Sequence, residues 1–198
     1  MADVPARAHT ILGQDLALLC LGDASATPPL DLIARCVATL HASIDVVPMR
    51  IGAPVANACD AAALLAQAEP SLAASLSRIR GRTEYTARLL IEVKTPGPAA
   101  TRVGTGAGYL AARARRYAEL DGIPPGMHAL INDWVARLEI SGIEARLDGP
   151  TPLLPHPAAH FLVPRSAAPL FVERFNIHRA SLGGPALLTG PWAPFNFV

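Results

Sequence analysis

The chain has 198 residues, 51% hydrophobic and 17% charged, with 17 Lys+Arg against 16 Asp+Glu. That length holds one domain or two small ones with a real core, and a mean hydropathy of +0.31 excludes a disordered polymer. A net charge of +1 offers no concentrated basic face for nucleic acid.

Charge this sparse leaves solubility marginal, which suits a chain that works against an apolar partner. Cys20, Cys36 and Cys59 form no CxxC pair, and the first residues carry no secretory pattern. Reduced thiols in a cytoplasmic protein are therefore expected. The apolar run Leu16 to Leu21 is far too short to span a bilayer, so no membrane association is expected.

In chain order, Asp15 to Leu21 is a short apolar run closed by Gly22 and Asp23, which predicts a buried strand. Thr27 ahead of Pro28 and Pro29 predicts a helix start. Leu30, Ile33, Val37, Leu40 and Ile44 then mark its buried face at intervals of three and four. Asp45 to Gly52 reads as a second strand leading into a loop. Residues 55–68 are Ala-rich and helical, and Pro70 with Ser71 restarts a helix through Leu72, Leu76 and Ile79, ending near Gly81.

Glu84 to Val93 is the clearest strand. Tyr85, Ala87, Leu89, Ile91 and Val93 share one face, while Glu84, Thr86, Arg88, Leu90 and Glu92 share a mostly wet one. A loop around Thr95 to Ala100 precedes a helix opened by Gly104 to Gly108, with Arg113, Arg115 and Arg116 on a solvated face. Leu130, Ile131, Trp134, Val135 and Leu138 make an amphipathic helix, and Gly142 to Gly149 alternates as a strand. Ala159 to Val163 is another strand. Ser166 then caps a helix carrying Leu170, Phe171, Phe175, His178 and Leu182, which Gly183 and Gly184 stop. Ala186 to Thr189 is the last strand.

Strands and helices mixed without a repeat predict an α+β protein of two small sheet-plus-helix domains meeting around Gly81 to Thr83. Residues 1–82 form the first. Residues 83–198, ending in an extended aromatic and proline tail, form a second of ferredoxin-like order.

Positive evidence for catalysis is thin. Gly104 to Gly108 lacks the GK[ST] of a phosphate-binding loop and follows no strand. His156 and His160 have the spacing of two ligands on a helix, but Pro157 lies between them and no third ligand cluster follows. His41 and His178 read as helix-face histidines. No GxSxG elbow is present, Cys36 sits on an apolar helix face, and the carboxylates are scattered singly. No catalytic residue, cofactor or metal is expected. The terminus is different: Trp192, Phe195 and Phe197, interleaved with Pro191 and Pro194, form an extended strap. Each ring is worth about 2 kcal/mol when buried, whether against its own protein or in a partner.

The ending from Leu188 to Val198, LTGPWAPFNFV, resembles the terminal LTGPWPPYSFV signature of the gas vesicle protein F/L family. Val46 to Gly52, Gly81 to Leu90, Gly106 to Leu110 and Phe161 to Arg165 are similar to further family blocks in the same order. Ile51, Ala193 and Phe195 depart from the usual phenylalanine, proline and tyrosine.

The resemblance implies a two-domain accessory protein of gas vesicle formation rather than an enzyme. Such a protein is cytoplasmic and vesicle-associated, and its partners are the small hydrophobic shell protein and other accessory proteins. On that resemblance the partner-binding residues are Pro191, Trp192, Phe195 and Phe197, with Tyr109, Pro48, Met49 and Arg50 as supports. Two rivals remain: a small-molecule-binding or enzymatic ferredoxin-like domain using the Gly104 to Gly108 loop, and a scaffold that only self-associates.

Overall fold

The computed structural model describes residues 8–12, 17–21, 30–48, 58–90, 123, 126–151 and 154–198. Strands and helices are mixed, and the sheet strands are antiparallel, so the class is α+β. Contacts gather the chain into two compact units, one of residues up to Thr83 together with Trp192–Val198, the other Glu84–Pro191.

In the first unit, β1 (Ala8–Leu12) and β2 (Ala17–Leu21) form an antiparallel hairpin with Ala8 opposite Leu21. The expected strand at 15–21 is β2; its partner β1 was not legible as a strand. Helix α1 (Leu30–His41) starts behind the two prolines, with Asp31 in its first turn and His41 in its last, matching the helix dipole. Cys36 is buried and Ile33, Val37 and Leu40 are half-buried, whereas Leu30 and Ile44 at the ends of the expected stripe are exposed. Residues 45–48 run as coil rather than strand. Asp45 there turns its carboxylate to accept the N–H of Gly81 at 3.0 Å, so the segment is held by a side chain instead of a ladder.

Helix α2 (Ala58–Ile79) is continuous through Pro70, where a restart was expected. Proline removes one N–H, freeing the carbonyl four residues back at Ala66. Ala66 and Pro70 are both exposed, so the interrupted turn lies on the solvent side of the helix, and the Ser71 hydroxyl donates to Ala68 O at 2.8 Å in the same turn. Ala61, Leu65 and Ile79 are buried, and α2 lies against β1. Gly81, at φ +67, takes the left-handed conformation that ends the helix and turns the chain into the next strand.

The second unit is built on a four-stranded sheet of β3 (Arg82–Leu89), β4 (Glu144–Asp148), β5 (Ala158–Pro164) and β6 (Ala186–Trp192), in the order β4-β5-β3-β6. Helix α3 (Met127–Arg137) precedes β4, and α4 (Ala168–His178) lies between β5 and β6. Glu144 faces Leu162 and Asp148 faces Ala158 across the antiparallel β4/β5 pair. Leu89 N–H donates to Pro157 O at 2.9 Å and Leu90 N–H to Pro185 O at 2.8 Å. The end of β3 thus meets the starts of both β5 and β6, which makes both antiparallel to it.

Alternation on the strands sends Tyr85, Ala87 and Leu89 of β3 and Ala159, Phe161 and Val163 of β5 into one core with α3 and α4. Trp134 is its centre, with ring centroids 5.2 Å from Phe161, 5.4 Å from Phe175 and 6.3 Å from Phe171. Its indole N–H is not stranded by burial, because it donates to His178 O at 3.2 Å.

Two further expectations change. The second face of β3 is not mostly wet: Glu84 is only 2% exposed, and Thr86 and Arg88 are half-buried. Ser166 does not cap α4. A 3₁₀ turn over Arg165–Ala167 feeds straight into the helix, so its N-cap, Ala167, has helical angles and no side-chain cap. Among the described residues no helix is long and apolar enough to cross a membrane.

Candidate partner surface at the chain terminus

The terminal segment is best read one residue at a time, because its side chains divide between two tasks. Leu188 of β6 packs on the second unit's core. The Thr189 hydroxyl donates to Thr86 O at 3.3 Å, sewing β6 to β3 beyond the ladder itself. Gly190 sits at φ +129, and a Cβ there would lie 2.8 Å from both Glu84 O and the Tyr85 ring. Only glycine permits that approach. The peptide to the exposed Pro191 is cis. This half of the motif is a strand seam.

Within the first unit, the Thr83 hydroxyl donates to Trp192 O at 3.0 Å. Having given its one proton, Thr83 Oγ1 can only accept from His41 Nε2, 3.3 Å away. A short chain of hydrogen bonds therefore links α1, the start of β3 and the tail. Ala193 and Pro194 are buried, and Phe197 is 1% exposed. Phe197 N–H donates to Pro194 O at 3.5 Å, and the Arg78 guanidinium donates to Phe197 O at 3.5 Å. Residues 193, 194 and 197 anchor the strap.

The remaining side chains face out. Trp192 is 46% exposed, Phe195 47% and Val198 43%. Two aromatic rings held half in solvent on an anchored backbone form a pre-ordered apolar surface, which loses little side-chain entropy on contact. Of the other expected site residues, Pro48 is buried. Met49, Arg50, Tyr109 and the Gly104 to Gly108 loop lie outside the described residues.

Sequence reasoning missed a polar cluster on the second face of the β3/β5/β4 sheet. His160, 7% exposed, places Nε2 3.1 Å from Asp148 Oδ2 and Nδ1 3.0 Å from Thr86 Oγ1 and 3.3 Å from Glu84 Oε1. These four residues are far apart in sequence, and only strand pairing brings them together. Among the described residues no three His, Cys, Asp or Glu side chains are grouped to hold a metal ion. The cluster reads as a satisfied network, buried at Glu84 and His160 and open to solvent at Asp148.

A family model for the gas vesicle synthesis protein GvpL/GvpF matches residues 34–198. No curated protein matches. Among solved structures, the fold is similar to gas vesicle protein GvpF from Microcystis aeruginosa, at a TM-score of 0.60 and 11% identity over 96% of this chain and 88% of that one. It is also similar to GvpF from an Anabaena species, at a TM-score of 0.58 and 14% identity over 96% of this chain and 87% of that one. The structural likeness speaks to fold; the sequence match runs from within α1 to the last residue. The chain belongs to the GvpL/GvpF family of gas vesicle synthesis proteins.

Proposed function

We propose that this protein is a cytoplasmic, vesicle-associated accessory protein that binds the small hydrophobic shell protein, together with other accessory proteins, and assists nucleation and assembly of the vesicle without catalysing a reaction. The observation that carries the reading is the division of the tail: Ala193, Pro194 and Phe197 hold it down, while Trp192 and Phe195 keep almost half their surface in solvent. A shell subunit whose assembled surface is apolar would be covered by such rings before it polymerises. Pro191 stands beside them, exposed. Pro48, being buried, is assigned a supporting role, and Tyr109, Met49 and Arg50 are kept as supports on the family resemblance.

We read the chain as two domains, residues 1–82 and 83–198, the second ferredoxin-like. The order strand, helix, strand, strand, helix, strand with sheet order β4-β5-β3-β6 supports that reading.

The test is co-expression with the shell protein, comparing the wild type with a Trp192→Ser/Phe195→Ser variant. Two rings, each about half of a 150–250 Å² side chain, leave about 180 Å² to bury, or up to ~4 kcal/mol. Losing half of that weakens binding about 30-fold, while the variant stays folded with a melting temperature lower by about 5–10 °C, because each ring is also half-buried. Equal recovery of shell protein by the folded variant would remove the tail from the interface.

A further inference from the structure

Outside the tail, β4 stands at one edge of the sheet and pairs, among the described residues, with β5 alone. The four successive residues Ala145 to Asp148 border a groove of about 280 Å³, whose other wall is α3 through His128, Ile131 and Asn132. Successive side chains of a strand point to opposite faces, so a groove that meets all four runs along the strand's edge. Charged side chains on an edge discourage unspecific pairing, so an edge that does pair needs charges that match across it. Here the signs alternate, Glu144, Arg146, Asp148.

We infer that this edge pairs antiparallel with β4 of a second copy of the chain, with Ala145 opposite its counterpart on the two-fold axis. In that register Glu144 faces Arg146 of the other copy twice over, and Ile143 faces Leu147 twice over. Opposite charges and apolar pairs directly across two strands are the contacts that stabilise a sheet.

Neighbouring registers fare worse. Placing Arg146 opposite Arg146 also sets Glu144 against Asp148, so like charges meet throughout. Placing Leu147 opposite Leu147 sets Arg146 against Asp148 but also Glu144 against Pro150, which has no N–H to donate. Charge rejects the first of these, and Pro150 counts against the second. Ile143, Ala145 and Leu147 are half-buried against the core, so the second copy completes an apolar layer already begun. An edge of five residues is small for an interface, so the dimer is transient and concentration-dependent.

Sedimentation or light scattering of the full chain over a wide concentration range tests this. The mean mass should climb from 20.7 kDa toward twice that value. Arg146→Glu or Glu144→Arg alone should weaken association about tenfold or more, because each sets like charges face to face twice. The charge swap Glu144→Arg/Arg146→Glu should restore it to within about threefold of the wild type. Residue 146 is exposed, and unchanged circular dichroism of each variant verifies the fold. A mass fixed at the monomer value, association indifferent to the single changes, or a swap that restores nothing would each overturn the inference.

Discussion

Replacing Phe197 by alanine separates the anchoring half of the tail from its exposed half. The ring is 1% exposed, so nearly all its area is withdrawn from water in the fold. Deleting a buried phenylalanine to alanine costs about 3–5 kcal/mol, combining lost transfer energy with the cavity left behind. Phe195, at 47% exposed, leaves no closed cavity and loses about half as much buried area. Its removal should cost about 1–2 kcal/mol. Urea unfolding followed by circular dichroism reads the difference directly. With a slope of about 2 kcal/mol per molar, Phe197→Ala should move the midpoint down by about 1.5–2.5 M and Phe195→Ala by less than about 1 M. Shell-protein recovery should then follow the opposite order once stability is allowed for. A Phe197→Ala midpoint within about 0.3 M of the wild type would refute the anchoring argument, because the ring could then not be holding the strap against its unit.

Other expectations concern the second unit. Gly190→Ala combines a strained φ with a Cβ 2.8 Å from Glu84 O and should destabilise by about 2–4 kcal/mol, seen as a melting temperature lower by roughly 5–15 °C. His160→Leu strips the buried Glu84 carboxylate of its imidazole neighbour and should cost about 2–3 kcal/mol. Adding Glu84→Leu should recover part of that in a double-mutant cycle, and strict additivity would show that the two side chains do not interact. Burial raises the Tyr85 phenol above its usual value of 10. The fold therefore favours its protonated form: the unfolded chain ionises first, so this group's contribution is intact below about pH 10 and is lost as pH rises further. Tyr85→Phe should flatten the decline of stability above pH 10, and an unchanged alkaline limb would refute it.

Much of this protein is written in local pattern. Apolar spacing alone locates α1, α3 and α4, and alternation locates β3 and β5, because a helix or strand with one buried face must repeat its apolar residues at that element's own period. Motif residues in the last eleven positions carry the family, since Gly190 and the prolines answer backbone demands that few other residues meet. What the local pattern could not supply was pairing. Glu84 reads as a wet-face carboxylate until β5 brings His160 beside it, and Pro70 reads as a break until the helix is seen to run through it with its exposed side outward. The tail's composition shows that its rings must find apolar cover without showing which ones find it at home. Burial is a property of neighbours distant in sequence, so only the tertiary structure sends Phe197 inward and leaves Trp192 and Phe195 facing out.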